Sequence, residues 1–290
     1  MSTLGLGSVG VALTVSGSYL DEAAEVERLG YSAVWLPGGQ IDTLGRLADV
    51  AAATTAVSVG ASVISLDVYA PPQVAGLYAQ LEKTSPGRLI TGLGGPQNPR
   101  PLPALRAFLD QLDQADPPVP DRRRLLAALG PRKLELARDR AAGAIMLLVT
   151  PAYLGTARQI LGDQRTLVVD QMVVADTDPD RARQAARRPL QFLSRLPGYA
   201  ASFARMGFTE ADIAQLSDRL VDDLIIWGSP ETIAARVSRQ LDAGADHIVL
   251  HVLSEPGQPG AGAIQVARAL ATDEFAGRAG SVSAGRERQE

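Results

Sequence analysis

The chain has 290 residues, with 28 lysines and arginines against 32 aspartates and glutamates, two histidines and no cysteine, for a formal net charge of −4. A mildly acidic balance gives no basic face for counterion release and excludes a typical nucleic-acid binder; the missing cysteines exclude disulfides, thiolate nucleophiles and Cys-ligated metals. Two histidines cannot build a three-histidine centre, so no metal site is expected.

No run of apolar residues is long enough to suggest a membrane span. The opening stretch, 1–15, is apolar with no basic segment ahead of it. It reads as a first strand and not a signal peptide, which makes the cytoplasm the expected location. From there, short β-branched runs alternate with helical periodicity, and strands are expected over 7–15, 33–36, 57–64, 88–93, 125–129, 144–149, 166–174 and 247–253. Helix signals fall between them. Ser18, three residues before Asp21, has capping-box spacing, and Gly30 follows the helix end. Thr150 with Pro151, Asp178 with Pro179 and Ser229 with Pro230 each give an N-cap followed by a first-turn proline.

Every strand is thus followed by a helix, which requires right-handed crossovers and parallel pairing. Eight such units predict a (β/α)8 TIM barrel, whose site is built at the carboxyl ends of its strands. A doubly wound sheet would carry a G-x-G-x-x-G turn after the first strand, and Thr14, Val15, Ser16 and Gly17 stand there instead. We expect one barrel domain over 1–275 and a disordered polar tail over 276–290. Insertions over 96–121, after the fourth strand, and 190–222, after the seventh, are placed to wall the site.

The predicted rim is rich in glycine and poor in titratable groups. Gly38 and Gly39, followed by Gln40, leave room for a flat ligand or form a tight turn. Ser62 to Ser65 end the third strand, and Gly94 and Gly95 follow the fourth. Gly130 and Pro131 open a helix whose uncovered N–H groups favour an anion, with Arg132 and Lys133 adding charge. Both histidines, His247 and His251, lie on one face of the eighth strand, and only His251 reaches the rim. It is either a proton donor or substrate ligand, or an imidazole bonded to a neighbouring loop. The basic runs 122–124 and 181–188 read as solvated faces. With no hydrolase or zinc signature, such a site points to a cofactor that brings its own reactivity.

The stretch LEKTSPGRLITGLG, from Leu81 to Gly94, resembles the signature of the luciferase-like monooxygenase superfamily. Gly130-Pro131, Ala142-Gly143-Ala144, Trp227-Gly228-Ser229-Pro230-Glu231 and Ala243-Gly244-Ala245-Asp246-His247 continue the likeness, which is strongest to the coenzyme F420-dependent oxidoreductases of that superfamily. The resemblance implies a deazaflavin in the barrel mouth exchanging hydride with a small organic substrate. It places the ring against Gly38, Gly39, Ser62, Ile64, Ser65, Gly94 and Gly95, with Gln40, Asn98 and His251 as polar helpers. It places the phosphate tail at Gly130, Pro131 and Arg132 and near Ala142 and Gly143. It also implies a homodimer. FMN is the alternative cofactor, in a monooxygenase of the same superfamily, and a non-catalytic barrel is the alternative from another functional class.

Overall fold

The computed structural model describes residues 4–95, 101–253 and 261–271. Asn98 and the 276–290 tail lie outside them. The strands are β1 (Val9–Ala12), β2 (Ala33–Pro37), β3 (Ser58–Ser62), β4 (Ile64–Ser65), β5 (Leu89–Gly94), β6 (Arg124–Ala127), β7 (Gly143–Leu147), β8 (Thr166–Val174), β9 (Ile226–Trp227) and β10 (His247–Val252). Eight of them pair in parallel in the order β10-β1-β2-β3-β5-β6-β7-β8, and β8 pairs with β10 to close the barrel. The two-residue strands β4 and β9 pair only with the rim ends of β5 and β8. All eight expected barrel strands are present, and β8 matches its expected span at both ends. The first strand is shorter than its apolar run because pairing with β2 and β10 covers only its middle.

Inside the barrel, Trp35, Ile90, Leu125, Val168 and Val249 fill the lower section with Leu4 and Leu6 beneath. Trp35 fits because two neighbours lack side chains: a Cβ on Gly60 would lie 2.5 Å from its ring and one on Gly10 2.9 Å from its Nε1. Outside, one large apolar cluster joins the strands' other faces to the surrounding helices, with Leu36, Val59, Leu93 and Leu126 meeting Leu47, Leu81, Leu109 and Leu134. The arginine in the stretch Leu81 to Gly94 serves this scaffold. Arg88 donates to the carbonyls of Ala51, Thr54 and Val57, tying β5 to the end of the preceding helix and the start of β3.

Thr150, Asp178 and Ser229 each accept the expected N-cap hydrogen bond, from the N–H of Tyr153, Arg181 and Thr232. Ser18 does not form its expected capping box: its hydroxyl instead donates to Glu22 at 2.7 Å, and the helix Tyr19–Arg28 starts without a side-chain cap. The solvated reading of the basic runs also needs correction. Arg124 is only 1% exposed and pairs with Asp113 at 2.6 Å, while Arg183 and Arg187 are engaged by Asp222 and Asp218.

The second insertion builds a core of its own. After the helix Pro179–Leu193, the helices Pro197–Arg205, Glu210–Gln215 and Asp218–Leu224 pack Phe203, Phe208, Leu220 and Leu224 against Met172 and Val174 of β8. The first insertion contains the helix Pro101–Asp113, which buries Leu105, Phe108, Leu109 and Leu112. Among the described residues, no helix is long and apolar enough to cross a membrane.

Candidate active site

A cavity of about 510 Å³ opens at the carboxyl ends of the barrel strands. Its size falls within the roughly 300–1,000 Å³ of small-molecule sites. The floor is apolar, from Val63 and Gly94 across Ala127 to Ile145, Met146 and Leu147. One wall comes from the first insertion through Leu102, and another from the second through Tyr199, Ala201 and Arg205. Both insertions therefore reach the site, as expected of rim segments.

The shelf at Val63 depends on close backbone approach. A Cβ on Gly38 would lie 1.8 Å from the Val63 carbonyl oxygen, and one on Gly94 2.0 Å from Val63 Cγ2. The peptide between Ser62 and Val63 is cis. Gly38 thus makes room for the shelf without lining the cavity. Within the stretch Ser62 to Ser65 that the resemblance assigns to the ring, it is Val63 and Ser62 that line the cavity, while Ile64 turns into the outer core.

On another side lies the start of the helix Pro131–Arg140. The Leu129 carbonyl just before it accepts from the Tyr153 hydroxyl and from Arg205 Nη2, both at 3.0 Å, which pins the loop and draws the Arg205 guanidinium beside Gly130. Arg132, Lys133 and Arg205 all line the cavity here. Burial pushes the Lys133 ammonium below the usual lysine range, with Asp67 acting in the opposite sense. A helix N-terminus flanked by three cations, one of them short of solvent, favours an anionic ligand group.

A separate polar spot joins β8, β10 and the Pro197–Arg205 helix. Asp170, its side chain 4% exposed, lines the cavity and accepts from Nδ1 of His251 at 3.2 Å. Burial, reinforced by the Asp170 carboxylate, pushes the Tyr199 phenol up, so this hydroxyl stays protonated as a donor. Asp170 lies in the middle of β8 but beside Leu147, the last residue of β7, so β8 projects past its neighbour and carries the carboxylate to the mouth. The adjacent polar pair Asp170-Gln171 inside a buried strand is the one sequence mark of this spot, and it does not say which of the two reaches the mouth.

Of the residues assigned from sequence, Ser62, Gly94, Gly95, Gly130, Pro131 and Arg132 line the cavity. His251 stands behind Asp170. Ile64 is buried in the core outside the barrel, and Ser65 follows it in β4. Gly39 and Gln40 are exposed in the turn Gly38–Gln40 and do not reach the cavity. Ala142 and Gly143 are misplaced by the sequence reading: they open β7 at its amino end, on the opposite face of the barrel from the mouth.

Residues 10–101 match the luciferase-like monooxygenase family. No curated protein matches the sequence. Among solved structures, the coenzyme F420-dependent tetrahydromethanopterin reductase from Methanopyrus kandleri is similar with a TM-score of 0.70 at 17% identity, over 92% of this chain and 98% of the other. An F420-dependent secondary alcohol dehydrogenase, solved with an F420-acetone adduct, gives 0.69 at 15% identity, over 90% of this chain and 97% of its own. The oxygenating constituent of 3,6-diketocamphane monooxygenase from Pseudomonas putida, in complex with FMN, gives 0.65 at 12% identity, over 92% and 97%. At these identities the likeness is one of fold, and the fold is shared by deazaflavin and flavin proteins alike.

Proposed function

We propose that this luciferase-like chain is an oxidoreductase that uses coenzyme F420 on a small organic substrate. The observation that carries the reading is the convergence of Arg132, Lys133 and Arg205 on the N-terminus of the Pro131–Arg140 helix, at the edge of an apolar cavity with a glycine-backed shelf. A flat ring system suits the floor formed by Val63, Gly94 and Met146. Three cations suit a tail with more than one negative charge, which the phosphate and carboxylates of F420 supply and the phosphate monoester of FMN also approaches, so a parallel FMN titration carries the distinction.

When bound, a deazaflavin supplies a ring carbon that takes up or gives back a hydride. The protein's share is to bind, orient and exclude water. Lys133 and Arg205 hold the anionic tail, Val63 and Gly94 support the ring, and Tyr199 and Leu147 wall off the substrate side. The rim has no metal cluster among the described residues, and its polar groups are few.

Titrating the purified protein with F420 while following coenzyme fluorescence tests the reading, with FMN titrated in parallel. Saturable F420 binding, weakened by salt, is expected. Absence of binding at coenzyme concentrations well above micromolar overturns it, and tighter binding of FMN moves the chain to the flavin monooxygenases of the same fold.

A further inference from the structure

Among the described residues, the cavity holds one anionic side chain, Asp170. Of the titratable groups lining it, Arg132, Lys133 and Arg205 gather at the helix N-terminus, leaving Asp170 and Tyr199 as the second polar spot. The Pro197–Arg205 helix carries members of both. Tyr199 and Arg205 are six residues apart on it, which separates the two spots by about 9 Å of helix axis. The surfaces between them, from Ile145 to Leu147, are apolar. A ligand filling this space meets positive charge at one end and a single carboxylate at the other.

Asp170 is set up to receive something. Its Oδ1 is held by His251, and Oδ2 has no protein donor among the described residues. Its side chain is 4% exposed at the cavity wall, which leaves Oδ2 open to a donor from a ligand in the cavity. The second-strand turn contributes no competing group, since Gln40 is exposed and away from the cavity.

We infer that Asp170 is the substrate-facing acid–base group, positioned by His251, and that it selects an uncharged hydroxyl or carbonyl compound with an apolar body against an anionic one. The inference rests on the cofactor reading above for the fate of the hydride. In oxidation of such a hydroxyl compound, its O–H bond breaks and the proton passes to Asp170. Its C–H bond breaks and the hydride, with both electrons, passes to the oxidised deazaflavin, and the product is the carbonyl compound. In the reverse direction Asp170 returns the proton. His251, through Nδ1–H, fixes the orientation of the carboxylate, and the Tyr199 hydroxyl supplies a donor on the same side. A carboxylate or phosphate on the reacting part of the substrate would face Asp170 as a like charge across a low-dielectric space and is rejected.

The chain's two histidines make the test direct, because a ¹⁵N-histidine spectrum contains only two imidazoles. Cyclohexanol and cyclohexanecarboxylate are the probes, matched in ring and opposite in charge. In the wild-type protein, cyclohexanol should shift the His251 signals saturably, and cyclohexanecarboxylate should need at least about tenfold more for the same shift. Equal or better binding of the carboxylate overturns the inference and requires no variant. Asp170→Leu, which leaves no acceptor at this position, should abolish the preference and return His251 from the Nδ1–H tautomer to the Nε2–H form. A retained preference, or an unchanged tautomer, also overturns it. F420 titration of the same samples separates the two readings: failed coenzyme binding with the alcohol preference intact removes the cofactor assignment alone, and normal coenzyme binding without the preference removes this one alone.

Discussion

His247 and His251 sit four residues apart on one face of β10, and the barrel treats them oppositely. At the closed end, His247 is fully buried; its Nε2 accepts from Trp35 Nε1 at 3.1 Å, so Nδ1 carries the proton that it donates to the Gly7 carbonyl. Both ring nitrogens are used, and nothing is left over for chemistry. At the open end, His251 is 15% exposed, spends Nδ1 on Asp170 and keeps Nε2 available. The same side chain is a structural peg at one depth and, at the other, a partly exposed partner of a cavity-lining carboxylate. Depth in the barrel, set by strand direction and closure, decides the role.

The largest effect should come from the closed end. His247→Ala removes a ring from close-packed surroundings and strands the Trp35 N–H without an acceptor, a loss of about 3 kcal/mol or more. Urea denaturation should show it as a lower midpoint, with coenzyme affinity of the remaining folded protein unchanged. The same residue gives a pH dependence. Burial, opposed less strongly by the Gly7 carbonyl, holds its folded pKa down to about 4. The unfolded value is near 6.5, so the unfolded chain binds the proton first as pH falls. The contribution is complete above about pH 6.5 and lost progressively as pH drops toward 4, about 3 kcal/mol in all. His247→Gln should flatten that part of the stability curve relative to the wild type, and an identical slope would mean that the imidazole is not neutral and sealed.

At the open end the first effect should be on binding. Lys133→Glu reverses the least solvated of the three cations at the cavity edge and should weaken F420 by about 10- to 100-fold, the range of a charge-assisted hydrogen bond. Fluorescence titration at two salt concentrations checks it, because the wild-type advantage should shrink as salt rises. A fall in thermal stability as large as that of His247→Ala would erase the contrast between the two ends.

Much of this contrast was written in the sequence, and the failures are specific. Short apolar runs marked all eight barrel strands because a parallel barrel strand is apolar on both faces. Strand direction also places His247 low and His251 high. The same rule, applied to Gly143, puts it at the closed end as the first residue of β7, where motif matching had assigned it to the phosphate tail. Asp170 was missed for the opposite reason. The middle of a nine-residue strand reads as core, and only the pairing with Leu147 shows that its neighbour has already ended. Gly38 was legible as a close-approach position, but its neighbour is the Val63 backbone, a tertiary contact that no local pattern encodes. Arg124 was misread because a run of three arginines resembles a solvated face, and the partner that buries it, Asp113, belongs to the insertion.

His251→Ala should cost less than its counterpart four residues away, about 1 kcal/mol, since it removes one hydrogen bond next to a cavity that water can enter. Thermal melts of the two alanine variants side by side measure the difference. A loss at position 251 equal to that at 247 would show that the mouth is as tightly packed as the base.

The smallest effect, and the finest test of the division, concerns Arg132. It is exposed and makes no ion pair among the described residues, yet it borders the cavity beside Lys133. Removing it takes nothing from the core, so Arg132→Ala should leave stability within about 0.5 kcal/mol of the wild type. A solvated cation contributes to an anion's binding mainly through a screened field, which is worth up to about 1 kcal/mol. Coenzyme affinity should therefore fall only a few-fold at low salt and match the wild type at high salt. A loss as large as that of Lys133→Glu would mean that Arg132 folds over the tail and contacts it directly, so that the anion site is built by exposed as well as half-buried cations.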